Sequence, residues 1–431
     1  MLKPIMLAYP VIATKDEEER AALRPIGRNR DLYHKTMEGF TELVQAADEI
    51  GIWGAATPEH HFWSEGYEVA PAPTATNAFW AAKTKNINVG PLGYVMSTRD
   101  PIRVAEETAV LDHMANGRTF VGFARGYQSR WTNVLGQHYG ARATKSPQAA
   151  IYNPLTANAG FATATTAEDD INDDTRNRMI FEENIELVVK AWTQESFTHD
   201  GQVWKVPFPY AEGIGDWPLA RAGVTQRLGA PGEVDERGVW RRASVAPAPY
   251  QTPHPKVFVS GSGSPETIDF CGKHGFVPTY FASIDSAGPL SEGYRKTAAK
   301  HGHHYARGQN QCLVRWMQIG RTEEEAIEKI RAYDLDIWKN FYAAMGRRKV
   351  ENNAYFESLV NSGLFVFGTV ESVRKQLIEQ WKVLPAEHIV LVNHYAQMPK
   401  DAVIETLDIF QREIKPALDE VIYGEQRLAA E

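Results

Sequence analysis

The chain of 431 residues is poor in cysteine, carries no excess of positive charge and holds no long apolar run. Its two cysteines, Cys271 and Cys312, are too few for a disulfide framework or a cysteine-rich metal site. As small core residues they fit a reducing compartment. With 46 Lys and Arg against 54 Asp and Glu, the formal net charge is −8. Such a balance lacks the basic field that nucleic acid or an anionic membrane attracts. No stretch reaches the ~18 apolar residues of a membrane-spanning helix. The opening "MLKPIMLAYPVIATKDEEER" is a brief, proline-broken apolar stretch that runs into acids without a cleavage pattern. Repeats, low-complexity tracts and heptads are missing too, which excludes solenoids and coiled coils. The expectation is a cytoplasmic enzyme or binding protein with no nucleic-acid and no membrane partner.

What is present is an alternation of short apolar runs and helical patterns. The runs are "PIMLAYPV", "IWGAAT", "INVGPLGYVM", "RTFVGFARG", "KVFVSGSG", "FVPTYFA", "QCLVRWMQIG" and "HIVLVNHYA". The helical segments between them carry recognisable ends. Gly51 closes "DLYHKTMEGFTELVQAADEI", and Asp100-Pro101 opens a segment that Gly117 ends. From Thr322, the spacing of Ala326, Ile330, Tyr333, Ile337 and Phe341 gives one apolar stripe and predicts a helix. Strands that are apolar on both faces and separated by helices form parallel sheets covered by helices. Eight such units close into a (β/α)₈ barrel, here predicted as one domain over 1–431; an open doubly wound sheet with a separate domain is the alternative. Two stretches break the alternation, at about 141–174 and 199–255. They are expected as excursions over the C-terminal mouth, because long unpatterned loops in compact proteins are commonly functional.

Barrel chemistry sits at the C-terminal ends of strands, and three places there stand out. "PEHHFW" after the second run puts two imidazoles side by side. Adjacent residues leaving a strand point in different directions, so one ring at most faces the barrel axis; HExxH spacing is absent. His60 is then either a hydrogen-bonding plug at the strand end or a proton-handling group at a reacting centre, with Glu59 orienting its neighbours. "FARGYQSRW" after the fourth run places Arg125 where a solvated guanidinium is not expected. It either grips a phosphate or carboxylate or pairs with a buried acid. "VSGSGSPETIDF" after the fifth run has Ser264 as N-cap and Pro265 in the first turn, with free amides and hydroxyls that suit a phosphate. The glycine spacing matches neither a dinucleotide fingerprint nor a P-loop. His301, His303 and His304 lie between a helix and a strand, on the face away from such a site. "RGVWRRAS" is a local basic spot too small for nucleic acid, and no Gly-x-Ser-x-Gly elbow occurs.

Together, "PEHHF", "INVGPLGYVMSTRDPIRVAEE", "LDHMANGRTFVGFARG", "PHPKVFVSGSGSPETIDFCGKHGF" and "FGTVESVRKQLI" make the chain resemble the bacterial luciferase-like flavin monooxygenases, the α-subunit-like branch in particular. The resemblance covers nearly the whole chain except the two excursions. It implies a (β/α)₈ barrel with FMN at its C-terminal mouth. Reduced FMN, supplied by a separate flavin reductase, would react with molecular oxygen to a peroxide at the flavin C4a carbon, which oxidises a small organic substrate. By resemblance, His60 is the active-site histidine, Arg125 binds the flavin phosphate, and Ser264 and Thr267 with the Gly263 backbone complete the phosphate site. Leu92-Gly93 falls at the family's non-prolyl cis peptide under the flavin. Phe62, Trp63 and Tyr94, with Trp204, Tyr210 and Trp217 of the second excursion, are candidates for a dry aromatic cover. A homodimer is implied as well. Ala124 stands where some luciferases have a reactive cysteine, and "YQSRW" replaces an acidic neighbour of the arginine; light emission from an aldehyde therefore does not follow. Two readings compete within this ancestry: a deazaflavin-dependent oxidoreductase and a non-catalytic flavin-binding protein.

Overall fold

Each of the eight apolar runs is a strand in the computed structural model, which describes residues 1–143, 167–261, 263–345 and 350–428. They are Lys3–Ala8, Gly54–Thr57, Asn88–Pro91, Phe120–Ala124, Lys256–Ser260, Val277–Tyr280, Cys312–Ile319 and His388–Asn393. Neighbours in chain order pair in parallel, and the last strand pairs with the first, Lys3 opposite His388. A parallel bridge between Val89 and Thr119 joins the third strand to the foot of the fourth, so the sheet closes on itself as a barrel. Two strands extend this frame beyond the sequence prediction. Tyr94–Val95 runs beside the end of the fourth strand, and Phe365–Gly368 pairs with Trp316–Ile319 of the long seventh.

The unbroken apolar runs are explained by burial on both faces. In Cys312–Ile319 every residue is buried. Leu313 and Met317 pack outward with the helices, while Cys312, Val314 and Trp316 pack inward with Ile5, Leu7, Phe120, Phe258 and Val390. The helices begin where side chains take up their free amides. Asn29 caps Arg30–Ile50, Asp100 caps Pro101–Met114, and Thr369 caps Val370–Val383. Gly51, at φ 85°, ends the first of these in the left-handed turn that favours glycine.

Three elements depart from the sequence reading. The stripe after Thr322 is not one helix. An α-helix over Glu323–Tyr333 breaks at Asp334, and the chain continues through Leu335–Ile337 into a π-helical turn, Trp338–Ala343. The break frees the Asp334 carboxylate to receive Gln318 and His394. Of the first excursion, 144–166 lies outside the described residues, and its end is already helical, since Ala167–Thr193 is a single helix.

The second excursion does not cover the mouth. It connects a helix to the start of the fifth strand and so belongs to the opposite, N-terminal face. Gln251 is held there by Asp112 and by the carbonyl of Thr119, at the foot of the fourth strand. The excursion contains a short antiparallel ribbon, His199–Asp200 with Lys205–Val206, and two short helices.

Candidate active site

At the C-terminal ends of the strands lies a cavity of about 320 Å³, within the size range of small-molecule sites. The structure brings His60, Leu92, Gly93, Arg125, Gly263, Ser264 and Thr267 into its wall. The wall also takes aromatic side chains from four different connections: Tyr9, Tyr127 with Trp131, Phe281 and Tyr342. Tyr127, with about half its surface accessible (51%), lines the cavity.

The histidine pair divides as strand geometry requires. His60 lines the cavity. Its Nδ1 stands 2.7 Å from Oε2 of the buried Glu68, in ion-pair contact but off the hydrogen-bond direction. Its ring stacks on Tyr9, with an interplanar angle of 3°. His61 turns away, with Nε2 3.1 Å from Glu59 and its ring against Trp131. Glu59 is fully committed, accepting from Arg99 at 2.9 Å and from the Val95 amide at 2.8 Å. Burial pushes this carboxyl up, but His61, Arg99 and the Val95 amide together hold it below its ordinary range. It is therefore a fixed anion that orders the strand ends, as its position in the sequence suggested.

Of the two readings of Arg125, the structure shows the pairing with a buried acid. The guanidinium donates from Nε to Asn177 (3.1 Å) and from Nη2 to Asp174 Oδ1 (2.8 Å) and the Asp174 carbonyl (2.9 Å). Nη1 is left uncommitted by these bonds. Burial lowers its pKa, and Asp174 opposes that shift. Asp174 also binds Arg178 at 2.9 Å, so a second cation stands behind the first. Close by, linked through Arg178 and Glu266 at 3.7 Å, Ser264 Oγ caps Pro265–His274 by accepting from the Thr267 amide, and lies 3.1 Å from Thr267 Oγ1. A Cβ added to Gly261 would meet nothing within 4 Å, and one on Gly263 nothing nearer than 3.7 Å. Open backbone, two hydroxyls, a helix N-terminus and a guanidinium are the donor set that an anionic tail needs. The wall also contains His60 and the cis peptide Leu92–Gly93. These residues fit the phosphate tail of a flavin-type cofactor, in a cavity that His60 and Leu92–Gly93 also line.

Phe62, Trp63 and Tyr94 do not line the cavity. Phe62 is exposed outside it, at φ 64°. Trp63 lies one layer behind, bonded to Gln128 and packed on Phe341. Tyr94 is sealed between barrel and helices, its hydroxyl on Thr74. Trp204, Tyr210 and Trp217 belong to the N-terminal face and are likewise absent from the wall. The cover comes instead from Tyr127 and Trp131 after the fourth strand and from Tyr342 and Met345 after the seventh. Tyr9 and Phe281 follow strand ends and were within reach of the rule that found Arg125. Glu68 sits in a long connection with no pattern to mark it, and Tyr342 lies off the apolar stripe that ends at Phe341. Among the described residues no group of three or more His, Cys, Asp or Glu is arranged to hold a metal, and His303 stacks on Tyr305.

A family model of luciferase-like monooxygenases matches residues 22–382. Among relatives, 3,6-diketocamphane 1,6-monooxygenase of Pseudomonas putida is 24% identical over 356 residues, covering 79% of this chain and 81% of its own. The alkanal monooxygenase β chain of Aliivibrio fischeri is 39% identical over 92 residues, 21% of this chain and 28% of that one. Among solved structures, one resembles this chain with a TM-score of 0.64 at 18% identity, covering 97% of this chain and 98% of its own. It is a type II Baeyer–Villiger monooxygenase, the oxygenating constituent of Pseudomonas putida 3,6-diketocamphane monooxygenase, in complex with FMN. An F420-dependent secondary alcohol dehydrogenase bound to an F420–acetone adduct shares the fold with a TM-score of 0.57 at 14% identity, covering 97% and 99%. With most of its length matched by that model, and with a barrel of the same design, the chain belongs to the luciferase-like monooxygenase family.

Proposed function

We propose that the protein is a flavin-dependent monooxygenase. It would bind FMN in this cavity and use the reduced form with molecular oxygen to oxidise a small, largely apolar organic substrate, the reduced flavin being supplied by a separate reductase. The observation that carries this reading is the convergence of His60, Leu92–Gly93, Arg125 and the Gly263–Ser264–Thr267 turn on a single cavity. Bound reduced FMN supplies the electrons that activate oxygen. Ser264, Thr267 and Arg125 would hold its phosphate, and Leu92–Gly93 would lie against its ring. His60 would hold or deliver a proton where oxygen reacts, with Nε2 as the nitrogen not committed to Glu68. Tyr9, Tyr127 and Tyr342 stay protonated, since burial pushes each phenol up and the Glu68 charge adds to it. They act as neutral donors in a wall that otherwise excludes water. The P. putida enzyme, whose structure contains FMN, supports the cofactor choice.

The likeness to an F420-dependent dehydrogenase gives a second reading, hydride transfer with a deazaflavin. Anaerobic titration with reduced FMN and with a reduced deazaflavin, followed by admission of oxygen, separates the two. The monooxygenase reading expects tight binding of reduced FMN and an oxygen-dependent absorbance change. Binding of the deazaflavin alone would overturn it.

A further inference from the structure

Behind His60 runs a buried chain of polar side chains that reaches across the barrel mouth. Glu68 Oε2 faces His60 Nδ1 at 2.7 Å. The other carboxylate oxygen, Oε1, accepts from the Tyr342 hydroxyl at 3.4 Å. That hydroxyl also lies 3.3 Å from His394 Nε2, and His394 Nδ1 stands 3.2 Å from Asp334 Oδ1. Tyr9 lies between the two imidazoles, stacked on both. Glu68, Asp334 and His394 are 1%, 4% and 2% exposed. Among the described residues, no lysine or arginine stands within ion-pair distance of Glu68 or Asp334. Two buried carboxylates thus have imidazoles, not lysine or arginine, as their nearest basic neighbours, and a buried carboxylate without a counter-charge is costly.

The hydrogen bonds decide which imidazole can carry the charge. Trp316 Nε1, which can only donate, lies 3.2 Å from His394 Nε2. His394 Nε2 must then accept, so His394 is neutral and its Nδ1–H donates to Asp334, which Gln318 also satisfies at 2.8 Å. With that lone pair taken, the acceptors left for the Tyr342 proton are Glu68 and the Tyr9 hydroxyl. His60 is left as the group that neutralises Glu68. Glu68 itself sits at φ 49°, a left-handed conformation that its surroundings must enforce.

We propose that Glu68 is the positioning residue of His60. Its charge, 2.7 Å away, favours a proton on Nδ1 and leaves Nε2 to the cavity, while the Tyr342 hydroxyl holds Glu68 in turn. This rests on the reading of His60 as the proton-handling group, and its test is independent of any cofactor. The ligand-free protein, with ¹⁵N-labelled histidine, is titrated by NMR, and the His60 signals are assigned by their loss in His60→Asn. The other titratable groups near the pair are Tyr9, Tyr127 and Tyr342, whose phenols are held protonated. Glu68→Gln is expected to lower the His60 midpoint by about one pH unit or more, since a carboxylate favours the charged ring. Glu68→Asp, which keeps the charge but withdraws it, is expected to give a smaller fall and serves if the first variant does not fold. An unchanged midpoint in both variants overturns the proposal. In oxygenation assays the acidic limb of the pH–rate profile should move with the NMR midpoint, and Glu68→Gln should cause no further movement in a His60→Asn background. An NMR shift in a protein that never oxygenates would leave this inference standing and refute the proposed function instead.

Discussion

At the scale of single residues, the cavity floor depends on one missing side chain. A Cβ on Gly93 would lie 2.4 Å from the carbonyl carbon of Gly122 and 2.5 Å from its oxygen. Backbone atoms cannot step aside as a flexible side chain does. Gly93→Ala is therefore expected to cost about 1–3 kcal/mol or more, as overpacking does. Denaturant unfolding should show this as a lower midpoint at unchanged slope; an unchanged midpoint would mean that the two strands are not in close contact. At the far end of the barrel, His388 is sealed against Trp53 and Phe258. Burial pushes its pKa down to about 3; Glu387 opposes this and the neighbouring lysines reinforce it. An unfolded histidine binds its proton near pH ~6.5, so between that value and about 3 the unfolded state takes up a proton that the folded state refuses. Stability should fall across this window as pH drops. His274, lowered to about 4, contributes in the same direction, whereas Glu387, lowered to about 2, protects down to the ordinary carboxylate range. Melting temperatures from pH 7 to 5 should decline in the wild type and decline less in His388→Phe. Residue-scale legibility was uneven for a physical reason. His60, Arg125 and Ser264 follow strands, where direction can be inferred. Tyr94 also follows one, but its side chain points to the helix layer, and nothing in the local sequence tells inward from outward when both layers are apolar.

At the scale of elements, the barrel strands were legible because burial on both faces leaves runs of uninterrupted apolar residues. The excursions were not, because their placement is set by contacts far away in sequence. Gln251 gives its amide (2.8 Å) and its side-chain nitrogen (2.7 Å) to the fully buried Asp112, 139 residues away. This pins the end of the second excursion to the N-terminal face. Asp112→Ala leaves a buried amide unpaired and should cost about 1–3 kcal/mol. Because the contact is remote from the cavity, flavin affinity should be unchanged; a drop in affinity alone, with full stability, would contradict the placement. The break at Asp334 was hidden for a similar reason. The apolar stripe continues through it, with Ile337 and Phe341 buried like Ala326 and Ile330, and only tertiary partners for the carboxylate, Gln318 and His394, mark the interruption.

At the scale of the whole molecule, the helices Pro73–Lys83 and Pro101–Met114 leave Phe79, Val110 and Met114 exposed. Apolar side chains gathered on neighbouring surface helices suit a protein interface. A dimer through this face is the proposal, and charged substitutions Val110→Glu with Met114→Glu are expected to yield a monomer in sedimentation equilibrium. A wild-type monomer, or a variant that stays dimeric, would place the interface elsewhere or remove it. The central claim is that one cavity seats a phosphorylated flavin with its ring beside His60. The most direct test is a crystal structure of the protein soaked with FMN. The account predicts the phosphate within hydrogen-bond distance of Ser264, Thr267 and the Gly263 amide, with the ring lying on Leu92–Gly93 and one edge at His60. A phosphate bound away from the Ser264 turn, or a ring that does not reach His60, would contradict it.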